Sequence, residues 1–384
     1  MSRDLGTDRN FLPRLHKAVH GALAAGPELN VMSAHTVGLL ERTLSDLAGR
    51  GTTPVKLYDW MRRNVMVATT NTIFGPMDPF QHPANIDAWI EFETNGISAL
   101  GMGLPKWMVR EAVKARETLF VAFDEYFRRG GLAQASTFFQ RRIEFYRAEQ
   151  IPQGDINRLA VADNIAFSTN LLPTAFWLIY HIYSDPECLR LCRTELESGV
   201  TRDGESSQVI SYGYIKESCP TLQAVLRESF RFHGFGFAPR VALEDHMLDG
   251  RFLIKKGGYV FTPYIVQHRD PQNWGADVDE FRFQRFLPGE DGKRLKHHPA
   301  ALRGFGYGAH LCPGRHFATA ELLLLCALMT LRFDLKPAGG SEWPQLSVHK
   351  SLQVAALEQP DQDVEVVFHP REGVNQNGWS VRMA

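Results

Sequence analysis

A chain of 384 residues, 44% of them apolar and 22% charged, holds enough material for one large core or two ordinary domains. A formal net charge of -1 excludes the basic footprint of a nucleic-acid-binding protein, so no nucleic-acid partner is expected. The five cysteines, Cys188, Cys192, Cys219, Cys312 and Cys326, are odd in number and scattered through a chain too large to need stapling, which points to a reducing compartment.

Met1-Ser2-Arg3-Asp4 runs into polar sequence without a secretory signal, and the longest uncharged apolar stretches fall short of a membrane span. As written, the chain reads as soluble. Val55 to Phe74, Ile86 to Ala99 and Pro105 to Arg128 carry helix-spaced apolar residues broken by Gly and Pro clusters. Asp155 to Ser184 is long, mostly apolar and poor in charge, the pattern of a helix buried on nearly all sides, with a kink predicted at Pro173. Asp185-Pro186 starts an amphipathic helix that runs to about Glu197.

The pattern changes near Gly234. Val241 to Pro263 alternates, with turn signals at Asp249-Gly250 and Gly257-Gly258, and predicts short β-hairpins. Arg269 to Lys296 predicts a long ordered loop, Ala318 to Leu331 a strongly apolar helix, and Val364 to Phe368 a strand. No Pro/Ser-rich linker divides the sequence. The expectation is a single domain over residues 1–384, mainly α with a small β portion.

The most informative stretch is Phe305-Gly306-Tyr307-Gly308-Ala309-His310-Leu311-Cys312-Pro313-Gly314-Arg315-His316-Phe317-Ala318. Gly308 and Gly314 let backbone approach a flat ligand without Cβ obstruction. A helix beginning just after Cys312 aims its positive end and free N–H groups at the sulfur and favours the thiolate, the form a haem iron takes as ligand. A lone cysteine is more often a buried structural thiol. A zinc site from His310, Cys312 and His316 would need a further ligand, and no Cys-x-x-Cys partner exists.

The stretch resembles the haem-binding loop of the cytochrome P-450 superfamily, Phe-x-x-Gly-x-x-x-Cys-x-Gly-x-x-x-Ala, with Phe305, Gly308, Cys312, Gly314 and Ala318 in register. The resemblance implies the cytochrome P-450 fold and a haem b whose iron takes Cys312 as its axial ligand. Glu228 and Arg231, in Leu226-Arg227-Glu228-Ser229-Phe230-Arg231, share a helix face and match the family's Glu-x-x-Arg. The family buries this pair and joins it to an arginine supplied here by Arg285, although Phe283 stands where a proline is usual. Arg240 and His310 match partners of the haem propionates. Phe235, Phe237 and Ala238 fall where the family lines its substrate pocket. The basic run Lys293-Arg294-Lys296, with Arg315, suits an acidic electron donor as well as it suits a solvated loop.

On the oxygen-side helix, Ala166-Phe167-Ser168-Thr169-Asn170-Leu171 aligns with the family's small-Gly-x-acid-Thr-Thr, so Thr169 replaces the acid and Asn170 the first threonine. Asn here is similar to the branch that holds the bile-acid sterol hydroxylases and prostacyclin synthase. The resemblance implies catalytic positions at Asn170 and Thr169, an apolar small-molecule substrate (sterol, terpenoid, fatty acid or a similar secondary metabolite), and a NADPH-dependent P-450 reductase as electron donor. Three activities remain open: a monooxygenase, an isomerase or dehydratase that rearranges a peroxide without reductase, and a haem-binding protein without turnover. The sequence enters the family pattern about a quarter of the way in. The expectation is that the N-terminal anchor, which would hold full-length relatives at the endoplasmic reticulum membrane, is missing, together with the first sheet strands and an early helix whose Trp and Arg reach the haem. His16 and Lys17 fall near the end of that region.

Overall fold

The computed structural model describes residues 10–50, 54–203, 207–289, 292–293, 295–308, 311–340, 342–351, 355–374, 376 and 378–383. Two helices make the centre. Leu171–Ser184 is buried continuously from Leu171 to Ile179, and Arg315–Arg332 is buried continuously from Ala320 to Arg332. A helix apolar on every side has no solvent face to keep, so others must cover it. Pro27–Gly49 and Leu171–Ser184 pack on Arg315–Arg332, and Leu57–Phe74 covers Leu171–Ser184 from another side.

The long apolar segment predicted over Asp155–Ser184 is two helices, Gln153–Ser168 and Leu171–Ser184, joined at Thr169–Asn170. The break lies upstream of Pro173 for a geometric reason. A proline has no N–H for the carbonyl four residues back, here that of Thr169, and its ring crowds that carbonyl. The ladder resumes where Thr174 N donates to Asn170 O at 3.3 Å. Asp185 caps the next helix, Pro186–Glu197, by accepting from the N–H groups of Glu187 and Cys188. The segment predicted as one helix over Ile86–Ala99 is divided into Pro83–Glu91, a π turn over Phe92–Gly96, and Ile97–Gly101.

The β portion is small and split. Glu365–Pro370 pairs antiparallel with both Phe333–Pro337 and Val55–Lys56, and Trp379–Arg382 runs parallel to Ser207–Ser211. Phe237–Val241 pairs only with Tyr259–Pro263, setting Pro239 opposite Phe261. His246–Leu248 turns to Phe252–Ile254 through Asp249 and Gly250, whose φ values of 54° and 63° suit a type I′ hairpin. Phe237, Tyr259 and Phe261 are 52%, 69% and 57% exposed, and among the described residues neither edge of their sheet is paired. Unpaired, apolar strand edges of this kind are open to pairing with a further strand. The first helix among the described residues is Phe11–Leu23. No helix among the described residues is long and apolar enough to cross a membrane.

Glu228 and Arg231 lie on the Pro220–His233 helix with no solvent exposure, joined by two hydrogen bonds of 2.7 Å. Arg231 also donates to the carbonyls of His268, Val278 and Glu280. Glu228 accepts the N–H of Arg282 at 2.8 Å and Nε of Arg285 at 3.3 Å. Arg285 in turn grips Asp277 at 2.5 Å. Truncating one member of such a set strands a buried charge. Glu228→Ala is expected to cost about 3–5 kcal/mol, against about 0–1 for an exposed pair, and to give poorly soluble protein with little haem. Thermal melting and the haem-to-protein ratio check this; an unchanged melting temperature with normal loading contradicts it.

Candidate functional site

The Cys312 loop is a set of tight turns held by its own backbone. Cys312 N donates to Phe305 O at 2.9 Å, Leu311 N to Gly308 O at 3.1 Å, and Ala318 N to Gly314 O at 2.9 Å. Gly306 and Gly308 adopt φ values of 80° and 64°, which a side chain resists. A Cβ on Gly314 would stand 3.9 Å from Cys312 Sγ, in ordinary van der Waals contact with it. Phe305 packs edge-on against Phe230 with ring centroids 4.9 Å apart. The outcome is a half-buried sulfur at the start of the Arg315–Arg332 helix.

Burial raises the Cys312 thiol above its ordinary value. The N–H groups of Gly314 and Arg315 and the charge of Arg315 pull the other way without overcoming it. The helix start therefore eases ionisation but does not complete it in the protein alone; a metal at the sulfur would supply the missing positive charge.

A cavity of about 470 Å³ opens in front of Cys312. Its walls are largely apolar: Val19, Met32, Ile73, Phe138, Phe167 and Leu322 among them. Phe305, Gly306 and Gly314 form the floor around the sulfur. Asn170, at the break between the two central helices, stands in the wall, as do Tyr264, Ala356 and Leu357. The donor set suits haem: one sulfur, a glycine-cleared face around it, and apolar walls. Cys312 would hold the iron, with Phe305, Gly306 and Gly314 against the ring.

The remaining predicted positions divide. Asn170 Oδ1 accepts the Ala356 N–H at 2.6 Å, which requires the oxygen there and leaves Nδ2 without an acceptor among the described residues. Thr169 is absent from the wall. Its hydroxyl turns away and donates to Glu93 Oε1 at 2.6 Å, so the expected place beside the oxygen site is not met. The reason is helical: adjacent residues point about 100° apart, and Asn170 takes the cavity side. Arg240 is also elsewhere. It lies exposed on the two-stranded sheet with its guanidinium on the Pro239 carbonyl, away from the cavity wall. Phe235, Phe237 and Ala238 do not line the cavity. His310 and Arg294 lie outside the described residues.

The Phe11–Leu23 helix supplies Leu12, Leu15, His16 and Val19 to the wall, so an early helix does reach the cavity, though without the Trp and Arg of the family pattern. The sequence reading missed the Ala356-Leu357 wall, which sits in a segment with no periodic signal. It also missed Thr69 and Glu321, paired at 2.5 Å inside the cavity wall. An acidic residue in the strongly apolar stretch Ala318 to Leu331 was the available signal for Glu321. Among the described residues, which do not include His310, no three His, Cys, Asp or Glu side chains gather as a metal nest.

Comparison with known proteins agrees with this geometry. A family model described as Cytochrome P450 matches residues 159–362. The chain is 27% identical over 383 residues to the cytochrome P450 monooxygenase nodJ of Hypoxylon pulicicidum, covering 97% of this chain and 74% of that one. It is 28% identical over 343 residues to a cytochrome P450 monooxygenase of Gibberella zeae, covering 87% of this chain and 65% of that one. A bifunctional cytochrome P450/NADPH–P450 reductase of Gibberella moniliformis is 35% identical over 158 residues, covering 41% of this chain and 13% of that one. Among solved structures, a cytochrome P450DA heme domain superposes with a TM-score of 0.69 at 20% identity, over 93% of this chain and 75% of that chain, and shows the same fold. This chain thus spans 74% and 65% of the length of these two monooxygenases.

If Cys312 is the ligand, haem-loaded protein that is reduced and bound to carbon monoxide is expected to show the red-shifted band of thiolate ligation. Cys312→Ala should abolish the band and the buried Cys326→Ala should keep it. A band persisting without Cys312 would mean that another residue holds the iron.

Proposed function

The chain belongs to the cytochrome P450 family, and on that premise we propose that it is a haem-thiolate monooxygenase inserting one oxygen atom from O2 into an apolar small molecule. The observation that carries the reading is the single cavity shared by Cys312 Sγ and Asn170, apolar on most of its walls. The haem supplies oxygen activation when bound, drawing electrons from a reductase. What the chain contributes can be taken residue by residue.

Cys312 holds the iron, with its charge eased by the Gly314 and Arg315 N–H groups. Phe305 and the glycines keep the sulfur's face open. Phe138, Phe167 and Leu322 exclude water from the reacting region and accept an apolar substrate by burial, at about 25 cal/mol per Å² removed from water. Asn170, fixed through Oδ1, offers the N–H donors of Nδ2 to an oxygen in the cavity. The proposed partner is a NADPH-dependent P450 reductase, the second of the two activities that the bifunctional relative of Gibberella moniliformis is named for. Sterols, terpenoids and fatty acids are the proposed substrate classes.

One observation favours a second reading. An amide neither gains nor loses a proton near neutral pH, so Asn170 orients oxygens better than it feeds protons to them. Rearrangement of a ready-made peroxide needs only that orientation. Incubating haem-loaded protein with labelled molecular oxygen, reductase and a panel of sterols, terpenoids and fatty-acid peroxides separates the two. Label in a product is expected. Peroxide turnover without reductase or label would replace the monooxygenase with an isomerase.

A further inference from the structure

The Gln153–Ser168 helix serves two cavities. Ala166 and Phe167 turn to the one in front of Cys312, whereas Arg158, Val161, Ala162 and Ile165 line another of about 330 Å³. Spacings of three and four residues put this second set on one face of the helix. Phe92 of the π turn, Ile97 and Leu100 beyond it, and Arg116 and Phe120 of the Arg110–Arg128 helix complete the wall. No residue around Cys312 belongs to it. Its volume suits a small ligand, since small-molecule sites run from roughly 300 to 1,000 Å³. Phe92 is set there by Gly96, where a Cβ would come within 2.6 Å of the Phe92 ring and 3.1 Å of Ala112 Cβ. π turns recur at functional sites.

The charged members of this wall are two arginines, and no acid stands among them. Both guanidiniums lie over the Phe120 ring, with their central carbons 5.4 and 5.6 Å from its centroid. Stacking occupies the flat face of a guanidinium and leaves its N–H edges for acceptors. Arg116 gives Nε and one Nη2 hydrogen to Glu117 Oε1, at 3.2 and 2.5 Å. Arg158 gives its Nη1 hydrogens to Gly154 O and Asp155 Oδ1, both at 3.3 Å. A guanidinium carries five N–H bonds and each here spends two, so three of each have no acceptor among the described residues. Glu117 is 56% exposed and Arg158 60%. Surface pairs of this kind hold weakly, are screened by salt, and yield to a competing anion.

We propose that this cavity is a second binding site, and that its ligand is a small amphipathic anion. The carboxylate head takes the open N–H edges of Arg116 and Arg158, which match its two oxygens. The apolar body lies against Phe92, Leu100, Val161 and Ile165 and is held by burial. The site is independent of the reaction at Cys312.

Decanoate and decanol, alike in chain and different in charge, are the probes. Equilibrium dialysis of haem-loaded wild type is expected to show decanoate bound about tenfold more tightly than decanol, as a charged hydrogen bond implies. Added salt should weaken decanoate and spare decanol. Arg116→Gln or Arg158→Gln should weaken decanoate by about the same factor and leave decanol unchanged. Glu117→Gln removes the competitor of Arg116 and should tighten decanoate, an effect that a merely structural pair would not give. Ala162→Trp, which fills the cavity from its own wall, should abolish decanoate binding while the carbon monoxide band of Cys312 persists. Decanoate binding indifferent to A162W lies elsewhere and overturns the proposal, as do decanol bound as tightly as decanoate and no binding of either. If A162W fails to load haem, the charge variants decide: decanoate affinity unchanged in R116Q, R158Q and E117Q refutes the site.

Discussion

The site depends on a buried charge pair that never touches it. Glu228 and Arg231 carry opposite charges at zero exposure, and their remaining hydrogen-bonding capacity is spent on the chain that follows. Arg231 takes the carbonyls of His268, Val278 and Glu280, and Glu228 takes the Arg282 N–H. A loop rich in Pro, Gly and Asp cannot order itself by burial alone; here it is folded around a guanidinium. His268 passes the constraint on. Its Nδ1 bonds Gly234 O at 3.1 Å, and its Nε2 accepts the Arg303 N–H at 3.1 Å, at the entrance to the Cys312 loop. Burial and neighbouring arginines hold this ring down to about 4, so it stays neutral and Nε2 stays an acceptor. The sulfur's position thus traces back, bond by bond, to the Pro220–His233 helix.

The opposite wall is fixed from the helix break. Pro173 ends one ladder at Thr169–Asn170, and the Asn170 amide holds Ala356. The same segment is tied again where Phe235 N and Gly236 N reach Ala356 O and Glu358 N reaches His233 O. Trp177 Nε1 donates to Glu358 O at 2.8 Å, and the His233 ring stacks on Trp177 at 3.8 Å. A stretch without helix or strand periodicity is thereby as constrained as the helices around it, and two of its residues, Ala356 and Leu357, can shape a binding wall.

That contrast explains what the sequence disclosed. Periodicity and breakers are local, so Leu57–Phe74, Pro186–Glu197, the hairpin at Asp249-Gly250 and the apolar helix after Cys312 could be read directly, within a few residues at their ends. The Cys312 loop was legible because tight turns demand glycine at set places. Side-chain direction was not. Thr169 and Asn170 are neighbours in sequence, and only the exact rotation of the helix decides which one meets the cavity and which one meets Glu93. Arg240 was named through the resemblance alone, and the strand that carries it, Phe237–Val241, stands on an exposed sheet instead of against the cavity. The Thr69–Glu321 pair joins residues on distant helices, and no local pattern announces such a contact.

The electrostatics of the wall also narrow the proposed substrates. Its polar members near the apolar surfaces are an amide at Asn170, hydroxyls at Thr69, Thr174 and Tyr264, the imidazole of His16, and a carboxyl at Glu321 that burial lifts to about 8. Arg142 is the guanidinium among the described residues of the wall, and Asp163, itself 7% exposed, already neutralises it. A charged ligand entering this space would lose its hydration and meet no free counter-ion among these groups, a loss that hydrogen bonds from an amide do not offset. An uncharged ring system loses little water and gains the burial of its whole surface. Of the proposed classes, sterols and terpenoids ask this wall for no counter-ion, whereas a fatty acid brings a carboxylate whose lost hydration the wall would have to offset.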